Sequence, residues 1–197
     1  MSQNSIPENY SKLSTDCCFS AGITFRKPKA RDGLAIWKII QSCPPLDTNS
    51  MYCNVLQCDL FSDTCVLACM DGKPIGWLSA FREPKDDNAL FVWQVAVLPA
   101  SRGKGVGAQL LRHLFFNETL QTISRLRTTI TRENHASRAM FLQFSDSYGG
   151  HAYETECYDE RLHFDGSHQS EYLLTIVFEE PPFANLSMIE NSLEKSL

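Results

Sequence analysis

The sequence has no long apolar run and no cluster of basic residues. No stretch of this 197-residue chain resembles the roughly 20 consecutive apolar residues that span a bilayer. Residues 1–21 lack the basic start and apolar core of a secretory signal. Lys and Arg are dispersed and the formal net charge is -5, which argues against nucleic acid as a partner. These absences predict a cytoplasmic protein with no membrane or nucleic-acid partner.

Cysteine is plentiful, but the spacing of a metal site is missing. The eight cysteines include no Cys-x-x-Cys pair, and we expect no bound metal. An even number also fits a disulfide framework. Without a secretory signal, however, we expect a reducing compartment and buried thiols. Cys65 and Cys69, for example, fall in an apolar run that is typical of a strand.

Length and composition fit one globular domain between two tails. Hydrophobic residues make up 43% of the chain and charged residues 21%, which are ordinary values for a globular protein. Residues 1–21 are polar and predict a flexible tail, and residues 22–178 predict the domain. Residues 179–197 are interpreted as a C-terminal extension that either docks as a short helix or frays.

The domain alternates strand and helix signals. Its first half predicts a strand, two helices and three strands, at about 23–28, 33–42, 49–60, 64–70, 74–83 and 86–98. Asp32 is the expected N-cap of the first helix, and Asn49 or Ser50 that of the second. The second half predicts helix, strand, helix and strand, at about 106–116, 125–131, 134–149 and 171–178. This alternation implies parallel strands with crossover helices, and therefore a mixed α/β sheet.

A glycine-rich turn joins a strand that ends before Pro99 to the third helix. Free N–H groups at the start of a helix attract an anion, and glycine lets the backbone approach a phosphate closely. Arg102 and Lys104 add positive charge. We therefore predict a pyrophosphate site formed by Arg102, Gly103, Lys104, Gly105, Val106 and Gly107.

The glycine spacing matches neither common nucleotide motif. A P-loop would need Gly-Lys followed by Ser or Thr, and a dinucleotide fingerprint would need a surrounding N-terminal βαβ unit. The Arg-x-x-Gly-x-Gly pattern at 102–107 instead resembles the coenzyme A signature of GNAT acetyltransferases. A later helix start with Asn134, Ser137 and Phe141 is similar to the second cofactor element of that superfamily. The resemblance implies an α/β, mixed and mostly antiparallel sheet flanked by helices.

A narrower resemblance covers about residues 22–178. Its matching segments are 46–52, 63–66, 91–97, 133–139 and the pair His168 and Glu171. They resemble the L-2,4-diaminobutyrate acetyltransferases of ectoine biosynthesis. The resemblance implies transfer of acetyl from acetyl-CoA to the γ-amino group of that diamino acid, giving N-γ-acetyl-L-2,4-diaminobutyrate. It also implies a homodimer, to which the apolar last strand could contribute.

Cofactor roles follow from the resemblance. The turn at 102–107 is expected to hold the pyrophosphate of coenzyme A. Val95 and Val97 are expected to offer backbone groups to the pantetheine arm, as an added strand would. Asn134 is expected to touch that arm, to cap a helix, or to do both.

The proton donor and acceptor are left open by the sequence. Many GNAT enzymes carry a glutamate base on the central strand, but residues 91–94 contain no carboxylate. Glu171, His168 and Asp47 are the candidates for deprotonating the amine, directly or through water. Phe141 stands where many members have a tyrosine acid, so Tyr148, water, or no acid at all serves the leaving thiolate.

Substrate contacts are predicted from charge. Two ammonium groups need negative partners, for which we select Asp47 and Glu171. Polar contacts and a wall are expected from Asn49, Ser50, Tyr52, Trp93 and His168. Each has a structural alternative: Asp47 can shape a loop, Trp93 can belong to the core, and Glu171 and His168 can be solvated.

Two other functions remain open at this point. The chain could acetylate another small amine or amino acid. It could also bind acyl-CoA without catalysis, which the missing strand glutamate and Phe141 favour slightly. The intact glycine-rich turn and the residues of the substrate loop argue against the second alternative.

Overall fold

The computed structural model describes residues 22–115 and 117–179, so almost all of both predicted tails lies outside the described residues. Within that part, the strands are β1 (Ile23–Arg26), β2 (Cys65–Met70), β3 (Lys73–Glu83), β4 (Asp86–Val97), β5 (Arg125–Thr131), β6 (His151–Tyr158) and β7 (Glu171–Val177). The helices are α1 (Gly33–Gln41), α2 (Met51–Leu60), α3 (Val106–Phe115), α4 (His135–Ser147) and α5 (Glu160–Phe164).

The strands form one mixed sheet in the order β1-β2-β3-β4-β5-β7-β6. Every neighbouring pair is antiparallel except β4 and β5, which are parallel. The mixed, mostly antiparallel sheet that the sequence predicts is therefore confirmed. No helix among the described residues is long and apolar enough to cross a membrane.

Strands β4 and β5 separate soon after they meet. Their pairing runs only from Ala89 opposite Arg125 to Phe91 opposite Arg127. Beyond these pairs β4 continues to Val97 and β5 continues to the end of its own span. The two strand ends therefore diverge and leave backbone and side chains facing a gap in the middle of the sheet.

A β-bulge at Trp93 changes which face each later residue of β4 occupies. Ser79 lies opposite Gln94 and the next residue, Ala80, lies opposite Val92, so Trp93 is an extra residue in β4. A bulge of this kind bends its strand and redirects the side chains that follow it.

Two hydrophobic cores cover opposite faces of the sheet. The larger core contains residues of α3 and α4 packed on the sheet, among them Leu78, Leu90, Val92, Leu110, Leu114 and Phe141. The smaller core lies beneath α1 and contains Ile36, Ile40, Leu67, Trp77 and Ala96. Each fully buried aliphatic or aromatic side chain contributes about 1.5–3 kcal/mol. These cores hold the diverging ends of β4 and β5 in place from both sides.

Most predicted elements are present, but one crossover prediction is wrong. Strands β5 and β7 are antiparallel, because the chain first forms β6 at the edge of the sheet and only then returns as β7. Strand β6 is mostly exposed and lacks the apolar alternation that reveals a strand in a sequence. The same segment ends in the short helix α5, which the sequence also did not indicate.

The two predicted helix caps have different outcomes. Ser50 caps α2, since its hydroxyl accepts a hydrogen bond from the N–H of Cys53 at 3.1 Å. Asp32 makes no side-chain cap to α1. Its carboxylate instead accepts hydrogen bonds from Arg26 at 2.7 and 2.9 Å. This ion pair fastens β1 to the turn before α1.

The prediction of buried thiols is confirmed for four cysteines. Six cysteines are free in the described chain, and the buried ones are Cys43, Cys58, Cys65 and Cys69. Burial raises the pKa of Cys58 and of Cys65 to about 12, so both stay protonated at neutral pH. They act as small apolar residues of the core. Cys17 and Cys18 lie outside the described residues.

Candidate active site

Two adjoining depressions lie where β4 and β5 diverge. The first, the narrow groove, has a volume of about 220 Å³ and is lined by Cys43, Pro44, Pro45, Leu46, Val95, Val97, Arg102, Gly107, Asn134, Ala136, Ser137 and Met140. The second, the wide pocket, has a volume of about 450 Å³. Pro45, Leu46 and Asn134 line both, so the two form one continuous cleft.

The glycine-rich turn forms the mouth of the narrow groove. Gly103 and Gly105 both have φ of 72°, a left-handed conformation that other residues adopt at a cost. Gly107 lies at the start of α3, where a Cβ atom would be 2.7 Å from the sulfur of Met140 on α4. Gly107 therefore lets α3 and α4 approach each other, while Gly103 and Gly105 shape the turn.

The predicted cofactor residues surround this groove. Val95, Val97, Arg102, Gly107 and Asn134 line it. The remaining four lie in the turn beside it: Gly103, Lys104 and Gly105 are exposed there, and the side chain of Val106 is buried in the larger core.

The carbonyl oxygen of Val97 already has two partners within the chain. The guanidinium Nε of Arg102 donates to it at 3.1 Å, and the thiol of Cys43 donates to it at 3.2 Å. These contacts tie the turn and the α1–α2 loop to the end of β4. They fix the wall along which the sequence predicts a pantetheine arm.

Asn134 lies where the two parts of the cleft meet. Its side-chain oxygen accepts a hydrogen bond from the N–H of Ser137 at 3.2 Å, so it is the N-cap of α4. A residue at a helix N-terminus sits among unpaired N–H groups with favourable potential for negative charge.

Three predicted catalytic residues meet in the wide pocket. Nε2 of His168 lies 3.2 Å from a carboxylate oxygen of Asp47 and 3.8 Å from one of Glu171. Nδ1 of His168 lies 2.7 Å from the carbonyl oxygen of Gln169, to which it can only donate. The imidazole therefore turns Nε2 toward both carboxylates.

The two partly buried members of this cluster, His168 and Glu171, have shifted pKa values. The hydrogen bond to the Gln169 carbonyl raises the pKa of His168, and the nearby Asp47 and Glu171 raise it further against burial. Burial raises the pKa of Glu171, although His168 and Thr129 oppose this. Among the described residues, Oε2 of Glu171 is buried without a hydrogen-bond partner. Glu171 is thus a proton acceptor stronger than a solvated glutamate.

The other predicted substrate residues divide into two groups. Asn49 and Trp93 line the wide pocket, where the indole is 47% exposed. Ser50 caps α2 instead, and Tyr52 is 70% exposed on the first turn of that helix. Neither is among the described residues that line the pocket, and their substrate role stays a prediction.

Several residues of the wide pocket were not expected from the sequence. They are Gln94, Thr129, Ile130, Thr131, Glu133, Ser167 and Gln169. Thr129 and Thr131 alternate with apolar residues along β5, a period-two signal that marks one face of a strand. That signal does not show that β5 separates from β4 at these residues, so it could not predict a cleft.

The structure does not place Tyr148, the candidate proton donor at the end of α4, beside the groove, and it gives Phe141 no catalytic position. Phe141 is buried in the larger core. Tyr148 is the C-cap of α4, at the opposite end from Asn134. At 1.5 Å per residue the helix separates the two caps by about 20 Å, so Tyr148 cannot reach a thiol held beside Asn134.

Comparison with known proteins agrees with this geometry. The acetyltransferase (GNAT) family profile matches residues 34–145. The L-2,4-diaminobutyric acid acetyltransferase of Vibrio cholerae serotype O1 is 45% identical over 152 residues, which cover 77% of this chain and 88% of the relative.

Solved structures extend the similarity to three dimensions. Diaminobutyrate acetyltransferase EctA from Paenibacillus lautus, in complex with L-2,4-diaminobutyric acid and coenzyme A, has a TM-score of 0.77 and 36% identity. The match covers 82% of this chain and 96% of that one. Ard1 from Thermoplasma volcanium, at 16% identity, 80% and 99% coverage and a TM-score of 0.62, shares the fold. The chain therefore belongs to the GNAT acetyltransferase family and, within it, to the L-2,4-diaminobutyric acid acetyltransferases.

Proposed function

We propose that this chain transfers acetyl from acetyl-CoA to the γ-amino group of L-2,4-diaminobutyrate, giving N-γ-acetyl-L-2,4-diaminobutyrate for ectoine synthesis. One observation carries the proposal: an acidic pocket with Asp47, His168 and Glu171 opens directly into a groove beside the glycine-rich turn. The protein from Vibrio cholerae and EctA from Paenibacillus lautus are both diaminobutyrate acetyltransferases by name.

Charge in the wide pocket suits a diamino acid. A diamino acid with both amines protonated carries two ammonium groups and one carboxylate. The pocket is lined by the carboxylates of Asp47, Glu133 and Glu171, with no Lys or Arg among its described lining residues. Opposite charge selects the substrate and steers it into the site. The neutral side chains of Asn49 and Gln169 line the pocket and can donate hydrogen bonds to the carboxylate of the substrate.

The amine must lose a proton before it attacks. An alkylamine has a reference pKa near 10.4, so at about pH 7.5 roughly one molecule in a thousand is neutral, at a cost of about 4 kcal/mol. We assign the base to Glu171, whose raised pKa and unpartnered oxygen fit it to take a proton from an ammonium group. Nε2 of His168 lies 3.8 Å from the Glu171 carboxylate, and the protonated imidazole attracts that carboxylate.

The groove supplies the remaining requirements of acyl transfer. The turn at 102–107 and the start of α3 offer N–H groups and positive charge to a pyrophosphate. Val95 and Val97 of β4 line the groove that we assign to an extended pantetheine arm. Backbone N–H groups on this strand are the donors that would stabilise the thioester oxygen as it gains charge. A thiol has a pKa near 8.5, so the thiolate can leave without a strong acid.

Thiol release from acetyl-CoA tests the proposal. The assay compares L-2,4-diaminobutyrate with ornithine, lysine, putrescine and a blank without amine. We expect turnover with diaminobutyrate at a kcat/KM at least about 100-fold above the others, because a longer chain displaces the ammonium group from the acidic cluster. Equal turnover of the other amines would reassign the substrate. Binding of coenzyme A without any turnover would indicate the non-catalytic alternative.

We further propose that the chain forms a homodimer. Support comes from the resemblance noted in the sequence and from Tyr153 and Tyr158, which are each 46% exposed on the edge strand β6. Light scattering during gel filtration would give twice the chain mass of 22.3 kDa for a dimer. A single-chain mass at micromolar concentration would contradict the dimer. The division of the chain into domain and tails, and its cytoplasmic location, stay predictions.

A further inference from the structure

The side chain of Gln94 is buried between β4 and the loop that carries Asp47. Gln94 is 7% exposed and also lines the wide pocket. Its amide nitrogen donates a hydrogen bond to the backbone carbonyl oxygen of Asp47 at 2.9 Å. A buried neutral hydrogen bond of this length holds two segments at a fixed separation.

The bulge at Trp93 is what turns Gln94 toward this loop. Before the bulge, Leu90 and Val92 belong to the larger core. In an unbroken strand Gln94 would follow them onto that face, since side chains alternate with period two. Because Trp93 is an extra residue, Gln94 instead shares the face of Ala96, which belongs to the smaller core. An amide that would otherwise be buried in a hydrophobic core therefore reaches the α1–α2 loop.

The loop that Gln94 holds also packs on the smaller core through Leu46, the residue before Asp47. Cys43 ties its beginning to Val97, and Ser50 ends it as the cap of α2. Between these two points, the Asp47 carboxylate contacts Nε2 of His168, 3.2 Å away. That carboxylate is itself 75% exposed. Its position therefore depends on where the backbone of Asp47 is held.

We propose that Gln94 is a positioning residue that sets Asp47, and with it Asn49, against the substrate. The proposal rests on the proposed function, because it assigns Asp47 to an ammonium group of the diamino acid. Gln94 acts only through the loop. Its loss should weaken binding of the amine and leave the turn that binds the cofactor unaltered.

Gln94→Met tests this with little change in side-chain volume. We expect the KM for L-2,4-diaminobutyrate to rise about tenfold, with kcat reduced less than about threefold and the KM for acetyl-CoA unchanged. Ser79→Ala is the matched control, since Ser79 lies directly opposite Gln94, on the same face, and is also buried. A comparable rise in KM in Ser79→Ala would show that any disturbance of this core suffices, and would overturn the proposal.

A second variant separates positioning from packing. In Gln94→Glu the side chain can donate to the Asp47 carbonyl only when it is protonated. The ratio of its KM for diaminobutyrate to that of the unaltered chain should therefore fall as the pH is lowered. A KM for diaminobutyrate equal to that of the unaltered chain at about pH 9, where an ionised carboxylate cannot donate, would contradict a role for the hydrogen bond.

A double-mutant cycle places the effect at Asp47. If Gln94 acts through Asp47, then Gln94→Met should change the KM less than about twofold in a chain that already carries Asp47→Ala. A full tenfold effect in that background would overturn the proposal. The unaltered chain is assayed in parallel, so absence of its turnover with diaminobutyrate would count against the proposed function, and not against Gln94.

Discussion

The narrow groove and the wide pocket draw on the chain in different ways. The groove takes its turn from one continuous segment, residues 102–107, and its opposite wall from Asn134 and the first turn of α4. The pocket assembles side chains from the α1–α2 loop, β4, β5 and the segment around His168 and Glu171. The turn of the groove is therefore local in sequence, while the pocket depends on tertiary structure throughout.

The largest expected effect belongs to the wide pocket. Glu171→Gln keeps the shape of the side chain but removes its proton acceptor. We expect kcat with diaminobutyrate to fall about 100-fold or more, as is typical for loss of a general base. The KM for acetyl-CoA, measured in the same steady-state assay, should stay unchanged.

Glu179→Gln is the control for this substitution, because Glu179 is exposed beyond the opposite end of β7. It should leave both constants unaltered. If Glu171→Gln retained more than about a third of the activity, the general base would have to be another group.

An intermediate effect is expected in the narrow groove. Gly105→Ala places a side chain at a φ of 72°, which costs about 1–2 kcal/mol and shifts the N–H groups of the turn. We expect the KM for acetyl-CoA to rise about tenfold, with the KM for diaminobutyrate little changed. Steady-state kinetics with each substrate varied in turn gives both values.

Gly72→Ala supplies the same backbone strain away from the cleft. Gly72 has a φ of 74° in the β2–β3 turn, and a Cβ atom there would meet no neighbour within 4 Å, as at Gly105. Both variants should lose similar stability, but only Gly105→Ala should lose affinity for the cofactor. Equal effects on the KM for acetyl-CoA would mean that strain alone, and not the turn at the groove, is responsible.

The smallest effect concerns the pH dependence of stability. The folded-state pKa of His168 is raised above its ordinary value of 6.5. The protonated imidazole therefore stabilises the fold fully below that ordinary value, and this contribution is lost as the pH rises through the raised folded-state pKa. Since the side chain is partly exposed, we expect less than about 1 kcal/mol.

Thermal unfolding measured from about pH 5 to about pH 9, a range that includes the ordinary titration of histidine, checks this prediction. The melting temperature of His168→Gln should lie below that of the unaltered chain at low pH and approach it at high pH. A gap that widens with rising pH would mean that the imidazole is held neutral in the fold. NMR titration of the His168 ring gives the folded-state pKa independently.

The same contrast explains what the sequence could reveal. The glycine spacing at 102–107 has a local physical meaning, so it predicts an anion-binding turn without knowledge of the fold. A near-continuous apolar run likewise located β7, and a run of β-prone residues located β4. Strand β6 was not predicted, because an exposed edge strand needs no apolar alternation. Without β6 in the predicted order, β5 and β7 were wrongly expected to be parallel.

The wide pocket could be predicted from the sequence only in part. Asp47, His168 and Glu171 were expected to share a site, and the structure brings them together. Gln94 carried no signal of its own, because its orientation depends on the bulge at Trp93. A bulge adds one residue to a strand, and period-two reading of a sequence cannot show where that residue lies.

The most direct test of this account is the position of the acetyl group in the product. The chain is incubated with L-2,4-diaminobutyrate and acetyl-CoA that carries ¹³C in the acetyl group, and two-dimensional NMR identifies the acylated nitrogen. Acetyl found on the γ-nitrogen alone is the predicted result, because the acidic cluster presents that amine to the groove. Acetyl on the α-nitrogen, or a mixture of both products, would contradict the assignment of Asp47 and Glu171 to the substrate.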